Sequence, residues 1–174
     1  MTPARGNGAK YNPRKDVGIR WFKEAGISSM HKTVGYLITW TTYGTWLQGE
    51  SKGYVKNGKV LKGDAELKKA NEDNLKSEPV KLTREQKEVV RKAILEASKR
   101  FNQKIYSIAV YSNHVHIAAE YVDVPISVIV AYYKNASRVA LNIGRVWTSG
   151  YDKRYCFDEK VLKERISYVE RHNN

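Results

Sequence analysis

A histidine pair within a β pattern near the middle of the chain constrains the fold most strongly. The run Tyr111–Tyr121 reads Tyr-Ser-Asn-His-Val-His-Ile-Ala-Ala-Glu-Tyr. Because side chains on a strand alternate between two faces, His114 and His116 point the same way, roughly 6.5–7 Å apart. Val115 and Ile117 fall on the opposite face. The pattern therefore predicts a strand with an apolar core face and two imidazoles on its other face.

Two imidazoles on one strand face can share a metal ion, each binding it through a neutral ring nitrogen. An ordinary alternative exists for any His-x-His pair. In that alternative one histidine is exposed and the other is hydrogen-bonded at the edge of the core. The charge of the chain and its last helix favour the metal-binding interpretation.

The charge of the chain indicates a polyanionic partner. Its 174 residues include 31 Lys and Arg against 18 Asp and Glu, a formal net charge of +13. Such an excess favours nucleic acid, and four Trp and twelve Tyr suit the stacking of unpaired bases. No apolar run is long enough to span a bilayer, and no helix pairs a broad apolar face with a Lys/Arg face as surface binding requires, so no membrane partner is expected. The lone Cys156 excludes an internal disulfide and fits a reducing cytoplasm, the expected location.

The sequence predicts one domain at 34–174, preceded by an arm at 1–33 and interrupted by an insertion at 51–82. Residues 1–33 form a basic arm rich in Gly and Pro, for which DNA contact and a structureless extension both remain open. Residues 51–82 form a lysine-rich insertion of low hydrophobicity. A small hairpin turning at Asn57-Gly58 and a short helix near 65–71 are expected within this otherwise flexible insertion.

The remaining pattern predicts an α+β fold. Strands are expected at 34–42, 104–111 and 111–121, and around 154–157. Helices are expected to start at Thr83, which forms a capping box with Gln86, at Pro125 and at Asp158. The order β-α-β-β-α-β with a closing helix is the split βαβ or ferredoxin-like pattern. It predicts an antiparallel sheet with helices on one face and a further C-terminal helix.

Several side chains are candidate DNA contacts. The first strand leads into a loop rich in rings and hydroxyls, where Thr42 suits phosphate contact and Tyr43 or Trp46 suits base stacking. On the second helix, Lys134 and Arg138 lie off the apolar face and suit contact with the DNA backbone, although a solvated face is the plain alternative. The inner face of this helix is predicted to carry Ile129, Tyr132, Tyr133, Ala136, Val139, Ala140 and Ile143.

The last helix carries a tyrosine beside a potential metal ligand. Tyr168 and His172 are one turn apart and project together on the flank of the apolar stripe. Arg165 shares this flank and is a further candidate DNA contact. With His172 as a third ligand beside His114 and His116, the tyrosine hydroxyl would lie next to the ion. Such a hydroxyl can attack a phosphodiester, displace a 3′-hydroxyl and keep a 5′-phosphotyrosine, with no need for ATP. Mg²⁺ or Mn²⁺ suits such a phosphate-facing site better than structural zinc.

These residues resemble the HUH single-tyrosine transposases, most closely the REP-associated tyrosine transposases and their IS200-like insertion-sequence relatives. The resemblance is carried by His114-Val-His116, Tyr36–Gly49, Tyr132–Arg138 and Tyr168–His172. It implies a ferredoxin-like sheet carrying the two histidines, with Tyr168 as nucleophile on the C-terminal catalytic helix. It also implies a single-stranded DNA substrate next to a hairpin, at an element end or a repetitive extragenic palindrome on the chromosome.

The resemblance leaves two features open. Related enzymes often use Gln or Asn as the third ligand, whereas His172 holds that place here. Relatives act either as monomers or as homodimers that exchange the tyrosine helix. Two other functions compete with a transposase: a non-catalytic single-stranded nucleic-acid-binding module of ferredoxin-like fold, and a metal-dependent nuclease that uses water.

Overall fold

A four-stranded antiparallel sheet is the centre of the computed structural model, which describes residues 32–47, 51, 54–56 and 59–172. The predicted arm at 1–33 lies almost wholly outside the described residues, so its DNA contact stays a prediction. The strands are β1 (Gly35–Thr41), β2 (Tyr54–Lys56), β3 (Lys59–Leu61), β4 (Ile105–Val110), β5 (His114–Glu120) and β6 (Asp152–Cys156). The helices are α1 (Ala65–Asp73), α2 (Arg84–Ser98), α3 (Ile126–Leu141) and α4 (Glu159–Arg171).

The strand order in the sheet is β4-β5-β1-β6, and every neighbouring pair is antiparallel. This is the strand order of a split βαβ fold, so the predicted ferredoxin-like class is confirmed. The histidine strand β5 lies in the interior of the sheet, as its alternating pattern predicts. Thr39 of β1 is directly opposite His116, and Thr41 is opposite His114.

The two faces of the sheet are covered by different helices. Ile38 and Ile117 point to the face on which Ile94 of α2 and Ile129 of α3 pack, and all four side chains are buried. On the other face, Val169 of α4 packs with residues of β1, β4 and β5, namely Leu37, Ala109 and Ala118. The sheet therefore has α2 and α3 on one side and α4 on the side that carries the histidines.

Gly35 explains how α4 can lie close to the sheet. A Cβ atom at this position would stand 2.7 Å from the Ala119 carbonyl oxygen and 2.7 Å from Cδ1 of Leu162 on α4. Neither atom has room to move far, because Leu162 is buried and the carbonyl belongs to the central strand. A larger residue at position 35 would therefore push the first turns of α4 away from β1.

The ends of α2 and α4 follow the capping signals in the sequence. The Thr83 hydroxyl accepts a hydrogen bond from the Gln86 backbone N–H, and the Gln86 side chain accepts one from the Thr83 backbone, which completes the predicted capping box. The Asp158 carboxylate accepts a hydrogen bond from the Val161 backbone N–H at the start of α4. Both predicted starts are confirmed.

The predicted inner face of α3 is only partly correct. Ile129 and Tyr133 are buried, as predicted, but Val139 is 59% exposed. The helix instead buries Val130 and Ser137, together with Ile126. Because α3 is apolar on most of its circumference, the periodicity alone could not define which side meets the sheet.

The insertion contains the secondary structure expected from its sequence. β2 and β3 pair as a small antiparallel hairpin, whose turn residues lie outside the described residues. Helix α1 begins after Asp64, whose carboxylate accepts a hydrogen bond from the Leu67 backbone N–H. Among the helices that the structure describes, none has the length and apolar character needed to cross a membrane.

Candidate active site

The two strand histidines come together on the face of the sheet that α4 covers. The ring centroids of His114 and His116 are 4.7 Å apart, with an angle of 72° between the rings. His116 is buried and His114 is partly exposed. The alternation of strand side chains therefore places the pair as predicted, on the opposite side of β5 from the buried Val115 and Ile117.

The Nδ1 atom of each strand histidine has a hydrogen-bond partner. His114 Nδ1 donates to Asn113 Oδ1 at 2.6 Å, and His116 Nδ1 lies 2.7 Å from the Thr39 hydroxyl oxygen. These contacts fix the orientation of both rings and leave Nε2 as the nitrogen that can bind a metal ion. Metal-binding histidines in proteins are commonly oriented in this way.

Both strand histidines favour the neutral form that a metal ligand needs. Burial, with a smaller contribution from neighbouring His114, lowers the pKa of His116 to about 4. Burial also lowers the pKa of His114. At neutral pH both imidazoles therefore carry no charge and keep a free lone pair.

Helix α4 brings Tyr168 and His172 to the histidine pair. The Tyr168 ring centroid is 5.6 Å from that of His116 and 4.3 Å from that of His172. His172 Nδ1 donates to the Tyr168 carbonyl oxygen at 2.7 Å, which leaves its Nε2 available as well. Tyr168 is partly buried and packs beside Val169, the buried contact of α4 with the sheet.

The three predicted metal ligands lie on the same face of the sheet, but they are not grouped closely enough to share one ion. His172 is 6.0 Å from His116 between ring centroids, and within the part of the chain that the structure describes no three His, Cys, Asp or Glu side chains are grouped closely enough to hold a metal ion. The donor set of His114 and His116 still fits a divalent ion, because both are neutral and both have Nε2 unengaged. The third ligand is not defined by this arrangement.

Tyr111 is a member of this site that the sequence patterns did not reveal. Its ring stacks on His114, with centroids 4.3 Å apart and an angle of 15°. Its hydroxyl donates a hydrogen bond of 2.5 Å to the carbonyl oxygen of His172. Burial raises its pKa, and proximity to Tyr168 adds to the rise. Tyr111 thus links the histidine strand to the end of α4.

Thr39 and Asn113 were also missed as partners of the histidines. The signal for Asn113 was its position directly before His114 in the turn between β4 and β5. The signal for Thr39 is the strand register, which places it opposite His116. Register depends on how two distant strands pair, so the sequence pattern of either strand alone could not supply it.

Two of the predicted DNA contacts at the end of β1 conflict with the structure. Thr42 is fully buried, and its hydroxyl is hydrogen-bonded to Thr45 and to the Asn113 carbonyl oxygen. Tyr43 is 7% exposed, and its hydroxyl accepts a hydrogen bond from the Lys76 backbone N–H. Both side chains are thus buried in this structure, which does not fit the predicted contacts with DNA. Trp46, which is 52% exposed, is accessible for base stacking.

The basic side chains predicted to contact DNA have different surroundings in the structure. Lys134 donates hydrogen bonds to the carbonyl oxygens of Thr148 (2.9 Å) and Gly150 (2.7 Å), and burial lowers its pKa to about 8. It therefore anchors a loop, rather than lying on the solvated face that was the alternative to DNA contact. Arg138 is exposed and donates only to Asn135 within its own helix. Arg165 is partly exposed on α4, near Cys156.

Comparison with solved structures supports the fold. The chain is similar to a REP-associated tyrosine transposase bound to a REP hairpin, with 13% sequence identity and a TM-score of 0.51. The alignment covers 79% of this chain and 64% of that one, so this chain spans less than two thirds of the relative. A structure described as a candidate transposase from Deinococcus radiodurans R1 aligns over 80% of this chain and 91% of its own, at 13% identity. Its TM-score of 0.41 is too low to establish a common fold.

Comparison with protein families gives a more direct result. No curated protein sequence matches the chain significantly. A family model described as "Transposase IS200 like" matches residues 75–172, more than half of the chain. The matched segment contains His114, His116 and Tyr168. The chain belongs to the IS200-like transposase family.

Proposed function

We propose that this chain is a metal-dependent DNA endonuclease and strand transferase with Tyr168 as its nucleophile. It would nick and rejoin single-stranded DNA next to hairpins, in transposition or in the mobilisation of REP elements. The observation that carries the proposal is the packing of α4 on the sheet, which brings Tyr168 to 5.6 Å from His116 between ring centroids. A tyrosine hydroxyl and a neutral histidine pair on one surface match the needs of phosphodiester cleavage.

The proposed reaction is a balanced exchange of ester bonds. The Tyr168 oxygen attacks the phosphorus, the bond from phosphorus to the 3′-oxygen breaks, and a 5′-phosphotyrosine forms. The proton lost by the phenol is matched by the proton gained by the new 3′-hydroxyl. Attack of another 3′-hydroxyl on the phosphotyrosine reverses these steps and releases Tyr168. Because the phosphotyrosine retains the energy of the original ester, rejoining needs no ATP.

His114 and His116 are the residues proposed to hold the divalent ion, Mg²⁺ or Mn²⁺. When bound, the ion would act as a Lewis acid that stabilises negative charge on the scissile phosphate. The third ligand is proposed to be His172, which requires its Nε2 to turn toward the strand pair. Thr39 and Asn113 are proposed to keep the strand imidazoles in position through their Nδ1 hydrogen bonds.

Hairpin-bearing single-stranded DNA is the proposed substrate. The solved relative with a TM-score of 0.51 is bound to a REP hairpin, and the net charge of +13 suits a nucleic acid. Trp46, Arg138 and Arg165 remain the accessible members of the predicted DNA contacts. The enzyme is proposed to act on chromosomal DNA in the cytoplasm. Tyr168 and His116 meet within one chain here, so the proposal does not require a homodimer.

Covalent attachment to DNA tests this proposal. The full chain is incubated with hairpin-bearing single strands and either Mg²⁺ or Mn²⁺, and products are separated under denaturing conditions. The proposed transferase gives a protein–DNA complex that resists denaturation, and EDTA prevents its formation. Cleavage without an adduct would identify a water-using nuclease. Binding with neither cleavage nor adduct would identify a non-catalytic module.

A further inference from the structure

A basic groove runs between α3 and the segment from Arg145 to Tyr151. It has a volume of about 350 Å³. Three basic side chains line it, namely Lys134, Arg138 and Arg145, and none of the described residues that line it is acidic. Hydroxyl groups of Ser149 and of other lining residues add hydrogen-bond donors. The lining also includes apolar side chains such as Val146 and Trp147, so these basic and hydroxyl groups are the part of the groove that suits phosphate.

The two arginines of the groove have N–H groups available for a ligand. The Arg145 guanidinium carbon is 4.3 Å from the centroid of the buried Tyr43 ring, so the ring holds the guanidinium in place. Arg138 is exposed, and one of its N–H groups donates to Asn135. Within the described part of the chain, the ion pairs with carboxylates involve other residues. Neither arginine is therefore neutralised by such a pair.

Lys134 has a different role from the two arginines. Two of its three N–H groups are used by the carbonyl oxygens of Thr148 and Gly150. Its ammonium nitrogen is also 5.9 Å from the centroid of the Trp40 ring. Lys134 therefore fixes the loop that forms one wall of the groove, and it leaves phosphate contact to Arg138 and Arg145.

The same wall adjoins the end of the sheet that carries the histidines. The Thr148 backbone N–H donates to the Thr41 carbonyl oxygen at 3.1 Å, and the two threonine hydroxyl oxygens are 3.1 Å apart. Thr41 is directly opposite His114 in the β1–β5 pair. The groove lies on the face of the sheet that α3 covers, opposite the histidines. Single-stranded DNA bound at the histidine pair would therefore have to pass around this end of the sheet to reach the groove.

We infer that this groove binds the phosphodiester backbone of the single-stranded DNA next to the cleavage site, with Arg138 and Arg145 as the phosphate contacts. The inference rests on the proposed function, because that function places DNA at the histidine pair. Positive charge without neighbouring carboxylates gives affinity for the phosphates of the DNA backbone but no specificity for its bases. The groove could therefore bind flanking DNA of any sequence.

Salt-dependent binding of two DNA probes tests the groove. One probe is a hairpin with single-stranded tails of mixed sequence, and the other is the same hairpin without tails. The variants are Arg138→Ala, Arg145→Ala and Arg145→Lys. Arg100→Ala is the matched control, because Arg100 also stacks on a tyrosine, 5.4 Å from the Tyr132 centroid, but lies outside the groove. Thermal melts confirm that each variant is folded.

The expected result is a change confined to the tailed probe. Arg138→Ala and Arg145→Ala should each flatten the slope of log affinity against log salt by about 0.7 for the tailed hairpin, the value for one contact to a single strand. The slope for the hairpin without tails should stay as in the wild type, and Arg145→Lys should retain the wild-type slope for both probes. Arg100→Ala should affect the two probes alike.

Two results would overturn the groove assignment. One is that Arg138→Ala and Arg145→Ala give the same salt slopes as Arg100→Ala for both probes. The other is that a tailed RNA hairpin binds more tightly than the tailed DNA hairpin, and that its salt slope falls further than that of the DNA in the same variants. That result would make RNA the ligand. Adduct formation by the same variants on the tailed DNA is measured in parallel. Its absence even in the wild type would refute the proposed function, whereas normal adducts with unchanged slopes would refute only the groove.

Discussion

Tyr111 lies flat on His114, with ring centroids 4.3 Å apart, and its hydroxyl donates to the carbonyl oxygen at the end of α4. One side chain thus contacts both the histidine strand and the helix that carries Tyr168. The hydroxyl limits how far the end of α4 can move from the sheet. The stacked ring limits rotation of the His114 imidazole.

Tyr111→Phe should therefore loosen the last turn of α4 while keeping the ring stack. Loss of one hydrogen bond should cost about 0.5–1.5 kcal/mol of unfolding free energy. Hydrogen exchange of the amides at 168–172 should accelerate, and the rate of adduct formation should fall more than DNA affinity does. Tyr106→Phe, on the preceding strand β4, is the control. Equal exchange rates at 168–172 in the wild type and Tyr111→Phe would contradict this role.

Thr39 should control the metal affinity of the site through His116. Thr39→Val keeps the shape of a β-branched residue on β1 but removes the oxygen 2.7 Å from His116 Nδ1. Loss of such a partner typically lowers metal affinity about 10–100-fold. Calorimetric titration with Mn²⁺ measures the change. Thr148→Val, which removes a hydroxyl bonded to Thr41, should bind Mn²⁺ as the wild type does. Equal affinities for all three proteins would exclude this role of Thr39.

The stability of the metal-free protein should fall in mild acid. Burial lowers the pKa of His116 to about 4, whereas in the unfolded chain it titrates near 6.5. Between these values the unfolded chain binds more protons than the folded chain, so stability is retained above about pH 6.5 and lost progressively toward pH 4. In thermal melts with EDTA across this pH range, the melting temperature of His116→Gln should fall less than that of the wild type. The same pH dependence in both proteins would contradict the lowered pKa.

Much of the fold followed from local sequence patterns. Alternation on β5 defined the core face through Val115 and Ile117, and side-chain capping defined the starts of α2 and α4 at Thr83 and Asp158. The inner face of α3 could not be predicted from local sequence patterns, because apolar residues surround most of that helix. Burial of Val130 depends instead on where α2 and the sheet lie.

The site was predictable where its residues are close in sequence. His114 and His116 share a strand, and Tyr168 and His172 share a helix turn, so periodicity placed each pair. Contacts between elements were not predictable in the same way. Thr39 meets His116 through strand register, and burial of Thr42 depends on the turn after β1. Such contacts depend on tertiary packing, which periodicity does not encode.

Lys134 and Arg138 should differ in their contribution to the stability of the fold, although the sequence predicted contact with the DNA backbone for both. Lys134→Met removes two hydrogen bonds that hold the 148–150 loop and should cost about 1.5–3 kcal/mol, the range for hydrogen bonds to a charged group. Arg138→Ala is an exposed substitution and should change stability by less than about 0.5 kcal/mol. Urea unfolding compares them. A Lys134→Met variant as stable as the wild type would contradict the anchoring role.

The position of the DNA adduct tests the central claim most directly. Protein is trapped on hairpin-bearing DNA with Mn²⁺ and digested, and the DNA-linked peptide is identified by mass spectrometry, with Tyr168→Phe and Tyr111→Phe treated in parallel. Because Tyr168 projects beside His116, the adduct should map to Tyr168. It should vanish in Tyr168→Phe and persist at a reduced rate in Tyr111→Phe. An adduct on Tyr111 or any other tyrosine, or wild-type nicking by Tyr168→Phe, would contradict the proposed mechanism.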